Sequence, residues 1–112
     1  MSEETLYQNF SIPQVIVGPM GGLTGARTKI TTKKIVAYAL FILPLIRIKL
    51  QNIAEIKQDD VGLFKENTIL IKSKTGLEYR FVFYSADDAI QFMEKAKLAL
   101  KQWAETSLPS LP

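Results

Sequence analysis

Six basic side chains, Arg27, Lys29, Lys33, Lys34, Arg47 and Lys49, fall between Thr5 and Ala54, a stretch that contains no Asp or Glu. The whole chain carries 14 basic and 11 acidic residues and a net charge of +3, so this stretch is +6 and the remainder −3. If the segments bearing these cations become neighbours, they form a patch suited to phosphate, acidic lipid or an acidic protein partner. The same pattern also serves to solvate outward strand faces and to guard sheet edges against aggregation. The six residues are therefore candidate anion- or partner-binding groups.

Other chemistry is scarce. Cysteine and histidine are both absent, which removes disulfides, thiolate metal sites, Cys nucleophiles, the usual general base and the commonest neutral metal ligand. The paired carboxylates Asp59-Asp60 and Asp87-Asp88 read as a solvated turn and as helix capping, since adjacent residues on a strand point to opposite faces. The glycine-rich stretch Gly18-Pro19-Met20-Gly21-Gly22-Leu23-Thr24-Gly25 reads as a mobile loop, and such loops can offer backbone amides to an anion. The next residues, Ala26-Arg27-Thr28-Lys29, lack the Gly-Lys-Ser/Thr ending of a phosphate-binding loop that hydrolyses nucleotides. Nucleic acid would want exposed aromatics interleaved with the cations, and only Tyr38 and Phe41 lie near them. Phe92, Met93 and Trp103 read as helix-to-core packing in preference to a ligand slot. The expectation is a protein that is not an enzyme and holds no cofactor or metal.

The elements that must position these residues are legible from periodicity. At 112 residues, 47 % apolar and 22 % charged, the chain has the profile of one soluble globular domain with a single core. The longest apolar run, Ile35 to Ile46, is 12 residues and contains Pro44, whereas a membrane-spanning helix wants about 20. It reads as buried strand, and no transmembrane segment is expected. The start, Met1 to Phe10, is polar and mildly acidic, unlike a secretory signal, so a cytoplasmic location is expected, with attachment at a membrane periphery left open. A first short strand at Gln14 to Val17 is followed by a hairpin, Arg27 to Thr31 and Lys34 to Ile42, turning at Thr32-Lys33 and ending at Pro44. Ile46, Ile48 and Leu50 then alternate with Arg47 and Lys49, a strand with one wet face. Further strands are expected at Ile53 to Ile56, Thr68 to Lys72 and Glu78 to Tyr84, the last two joined by a turn at Gly76. Ser85 with Asp87 and Asp88 caps an amphipathic helix over residues 85–104, whose stripe is Ala89, Phe92, Met93, Ala96, Ala99, Leu100 and Trp103. The tail from Ser107 to Pro112, with two prolines and two serines, reads as unstructured.

About seven antiparallel strands followed by one terminal helix resembles the pleckstrin-homology-like fold, a bent β-barrel plugged by its helix. Ile30-Thr31-Thr32-Lys33-Lys34-Ile35-Val36-Ala37-Tyr38 resembles the Leu-Thr-Asn-x-Arg-Leu-Ile-x-Tyr hairpin of GRAM-type and bacterial members. Ile46 to Ile53 is similar to their following strand, and Asn67 to Ile71 with Glu78 to Phe83 resembles their last hairpin. The resemblance implies a pleckstrin-homology-like domain over residues 14–105, between an N-terminal segment 1–13 and a flexible tail 106–112. It implies a binding or scaffolding module that engages a protein partner or an anionic membrane surface, with self-association left open. The phosphoinositide signature of some members joins a first-strand Lys to [Lys/Arg]-x-Arg on the second strand. Arg27-Thr28-Lys29 supplies a version of the second half, while residues 5–26 contain no Lys. The alternatives are a small lipid- or metabolite-binding barrel, or an enzyme using carboxylates; either requires a cavity with convergent polar groups.

Overall fold

A computed structural model describes residues 3–40 and 42–107, the last of these for its backbone alone. Seven strands, β1 (Thr5–Val17), β2 (Gly22–Thr31), β3 (Lys34–Ala39), β4 (Leu43–Lys49), β5 (Ile53–Gln58), β6 (Thr68–Ser73) and β7 (Glu78–Val82), precede one helix, α1 (Ala86–Ser107). All strand pairings are antiparallel, in one sheet of order β4-β3-β2-β1-β7-β6-β5. The expected strand count and terminal helix are both present.

The sheet's concave face is lined by alternate residues of each strand, among them Ala26, Thr28 and Ile30 of β2, Ile35 and Ala37 of β3, and Ile69 and Ile71 of β6. The helix buries Ala89, Phe92, Ala96 and Ala99 against them. Phe92 is the anchor, its ring centroid 5.0 Å from Phe81, 4.9 Å from Phe83 and 5.6 Å from Tyr7. Three aromatic contacts on one fully buried ring fix where the helix seats. Its start is capped as the sequence indicates: the Asp88 N–H donates to Ser85 Oγ at 3.1 Å, with Asp87 and Asp88 in the first turn.

Three expectations for the sheet need correction. The first strand begins at Thr5, not Gln14. Register shifts between Thr5 and Tyr7 and between Asn9 and Ile12 break its alternation, so buried Ile12 and Val15 sit three apart and the period-two signal is lost. Only Gly18 to Gly21 of the glycine-rich stretch form a turn; Gly22 to Gly25 are already in β2. At Gly22 an added Cβ would lie 1.7 Å from the Val15 carbonyl oxygen, so that glycine serves close strand pairing. Pro44 does not end a strand but lies within β4, the edge of the sheet, where a missing N–H is tolerated. Trp103 packs against the core as expected, but is only partly buried, unlike the fully enclosed Phe92. Residues 106 and 107, expected in the flexible tail, belong to α1. The expectation for the rest of the tail lies outside the described residues, as does Phe41.

Candidate functional site

The outward faces of β2, β3 and β4 bring five of the six cations onto one surface, and register fixes their rows. Arg27 lies opposite Tyr38; Lys29 lies opposite Val36, which in turn lies opposite Arg47; Lys34 lies opposite Lys49. Lys33 sits in the turn between β2 and β3, beside the last row. Val36 points outward yet is only 2 % exposed. Its neighbours across the ladder are Lys29 and Arg47, whose alkyl stems can cover it while their charges stay wet.

The first row is built around Tyr38. The Arg27 guanidinium carbon lies 4.2 Å and the Lys29 Nζ 5.7 Å from the Tyr38 ring centroid, an arrangement worth about 0.5–1 kcal/mol per cation where water has access. Burial pushes the Tyr38 phenol up, but the polar contacts and positive charges of Lys29 and then Arg27 outweigh it and hold the group below its ordinary value of 10.0. Arg27 Nε is buried and has no hydrogen-bond partner among the described residues. A buried donor left unpaired costs free energy, and an incoming acceptor recovers part of it.

Of the six cations only Lys34 forms a salt bridge among the described residues, to Glu3 at 3.6 Å. The hydroxyl of Thr31, opposed by burial and aided by Lys34 and Lys33, holds the Glu3 carboxyl below 4.5. At the other end of β3 the surface becomes apolar. Leu40 and Ile42, at the turn into β4, are 80 % and 82 % exposed, and Leu43 and Leu45 continue outward along β4. Leu40 has φ +53°, a left-handed conformation that costs a branched side chain and that Gly or Asn takes more cheaply.

The last row opens onto a cleft of about 720 Å³ between the β2–β3 turn, the end of β4 and the last turns of α1, with Lys33, Lys34, Lys49, Gln51 and Trp103 among its lining residues. Sequence reasoning named the lysines but missed Tyr38 as an organiser of the patch. The available signal was its place in the hairpin, since a residue opposite Arg27 must share Arg27's face. The reading of Asp59-Asp60 as a solvated turn is half corrected. Asp59 is only 7 % exposed, and its Oδ2 accepts from Arg80 Nε at 3.0 Å. No group of three or more metal-ligating side chains occurs among the described residues, and no helix there is long and apolar enough to cross a membrane.

No family model matches the chain, and no curated protein matches it in sequence. Solved structures do. The N-terminal PH domain of Vps36 superposes with a TM-score of 0.71 at 15 % identity, over 93 % of this chain and 83 % of that one. The N-terminal PH domain of human ARAP2 gives 0.58 at 15 % identity, over 99 % and 88 %. An inhibitor-bound structure of Vav1, described as blocking its GEF activity, gives 0.69 at 11 % identity; this chain covers 26 % of that chain, and the match takes in 87 % of this one. At these identities the likeness establishes the fold, which is that of pleckstrin-homology domains.

Proposed function

We propose that this chain, a domain of pleckstrin-homology-like fold, is a non-enzymatic binding module that docks on an anionic membrane surface through the outward face of β2, β3 and β4. The observation that carries the reading is a set of cations without carboxylate partners among the described residues, Arg27, Lys29 and Arg47, on a face that ends in the exposed apolar side chains of Leu40 and Ile42. Exposed apolar side chains such as Leu40 and Ile42, side by side at one end of a charged face, mark a contact surface, and an acyl layer would take them up. β1 contains no Lys, so the first half of the phosphoinositide signature is missing. The reading is therefore attraction to negative surface charge, without a stereospecific headgroup pocket. The GRAM-like words support placing the chain in that branch of the fold, with a cytoplasmic, membrane-peripheral location.

The magnitudes require both halves of the face. At about 1 kcal/mol each, three cations supply roughly 3 kcal/mol, or about two decades of partitioning, which does not anchor a protein alone. Each fully inserted Leu or Ile adds about 1.5–3 kcal/mol, so charge and apolar turn together reach stable association. Sedimentation with phosphatidylcholine vesicles, with and without phosphatidylserine, tests this. Wild type should bind only the acidic vesicles, and Arg27→Glu/Lys29→Glu/Arg47→Glu and Leu40→Ser/Ile42→Ser should each lose most of that binding while remaining folded. Equal binding of wild type and the charge-reversed variant to acidic vesicles would overturn the membrane reading and leave a protein partner as the occupant of this face.

A further inference from the structure

We infer that the cleft at the far end of the barrel from Leu40 and Ile42 is a second binding site, for a small anion carrying a planar aromatic ring and of about mononucleotide size. It goes beyond the membrane reading and does not depend on it. Three features of the cleft point the same way.

The first is an unrelieved repulsion. Lys34 and Lys49 lie directly opposite each other across β3 and β4, with Lys33 next in the chain, and like charges so placed destabilise a sheet. Glu3 reaches Lys34 alone, at 3.6 Å. Lys33 and Lys49 have no salt-bridge partner among the described residues, and both line the cleft. Glu4 and Glu105 also line the cleft and leave its three lysines one charge in excess, and an anion seated between Lys33 and Lys49 relieves the repulsion on that side.

The second is rigidity. Thr31 Oγ1 accepts from the N–H groups of both Lys33 and Lys34 at 3.1 Å, and the Lys33 carbonyl accepts from the Leu50 N–H at 3.0 Å. The turn is pinned to the end of β4 before any ligand arrives, so little ordering entropy remains to be lost on binding.

The third is Trp103. The other large aromatic of the helix, Phe92, is fully buried, whereas Trp103 is only partly buried, packing against the core on one side and lining the cleft on the other. A flat aromatic surface beside cations is a stacking platform for a planar ring. Gln51, Gln102, Glu4 and Glu105 also line the space and supply donors and acceptors for the hydroxyl and amino groups of a nucleoside. At about 720 Å³ the cleft falls within the usual range for small-molecule sites.

The chain has a single Trp, so its fluorescence reports this cleft alone. Titration with each of the four ribonucleoside monophosphates should give saturable quenching for at least one of them. The matching nucleoside and inorganic phosphate should each bind about tenfold more weakly or worse. Lys33→Gln/Lys49→Gln should lose about tenfold in affinity, and Arg27→Gln/Lys29→Gln should leave it unchanged, which separates this site from the membrane face. Calorimetry on Trp103→Phe, with folding checked by circular dichroism, should show retained but weaker binding. Absence of saturable quenching with all four nucleotides up to about 10 mM, or equal quenching in Lys33→Gln/Lys49→Gln, would overturn the inference.

Discussion

The outer surface of the sheet is divided into two halves that treat charge in opposite ways. On β5, β6 and β7 two of the three cations are neutralised in place, Lys57 being the one without a salt bridge among the described residues: Arg80 bonds Asp59 at 3.0 Å and approaches Glu78 at 3.6 Å, and Lys72 lies 3.8 Å from both Glu55 and Glu78. On β2, β3 and β4 the cations stack on Tyr38, face each other, or stand free, with Glu3 the one carboxylate in salt-bridge reach among the described residues. Both halves belong to one continuous sheet with the same strand geometry. Strand formation therefore did not demand the free cations, because the same fold satisfies its charges a few strands away. Unpaired charge concentrated on one half is what a surface looks like when its partner comes from outside.

The largest expected effect breaks the paired half. Asp59→Ala removes a nearly buried carboxylate that also accepts from the Asp60 N–H at 2.9 Å, and it leaves Arg80 without its best partner. Because Arg80 retains some access to water, the cost should be about 2–3 kcal/mol in chemical denaturation. Arg27→Gln on the free half should cost under about 1 kcal/mol. The reverse order would mean that Arg27 is a structural residue and that the contrast is false.

Salt sharpens the same comparison. Raising ionic strength from about 0.05 to 0.5 M shortens the screening length severalfold and should cut partitioning onto acidic vesicles by about a decade or more. The melting temperature should move little, since the Asp59–Arg80 pair is largely shielded from solvent. Binding that survives high salt unchanged would assign the work to Leu40 and Ile42 and not to the cations.

Tyr38 reports on the free half by titration. Its phenol should ionise below 10.0, and Lys29→Gln or Arg27→Gln should move it upward, as followed by ultraviolet difference spectra. Because the folded value lies below the unfolded one, this group contributes no stability at neutral pH. It gains stability for the fold as pH rises from the folded value through 10.0. Acidic vesicles should raise the Tyr38 value by occupying the cations beside it, and no movement on binding would place the contact elsewhere.

The smallest effect is a gain. Lys49→Gln removes the like charge facing Lys34 and should stabilise the protein by about 0.2–1 kcal/mol, measured by denaturation at low salt. Glu3 acts in the same place: held below 4.5, its contribution is present above that pH and is lost as pH falls through its folded value. Lys34→Gln, which removes one of the cations that hold Glu3 down, should flatten the acid limb of the stability curve, and an unchanged limb would show that Glu3 does not act through Lys34.

Much of this was legible in the chain. The β2–β3 hairpin, the alternation in β4, the Gly76 turn, which takes φ +95°, and the helix with its Ser85 cap follow from short-range rules, because turn residues, alternation and caps act within a few positions. The separation of charge was equally plain, since it needs only counting. The start of β1 was not, because register shifts destroy the alternation that marks a strand.

The elements, their order and the position of the basic stretch were set by the chain itself, because each depends on residues near one another along it. Which cations stand free was settled by tertiary packing. Asp59 meets Arg80 across 21 residues and Thr31 meets Glu3 across 28, contacts set by how strands lie side by side. Packing likewise set Tyr38 between Arg27 and Lys29, left Trp103 only partly buried beside a cleft, and put Lys34 opposite Lys49. A side chain's charge is fixed by its type, but its neutralisation depends on register, and register is a property of strands paired across the whole chain.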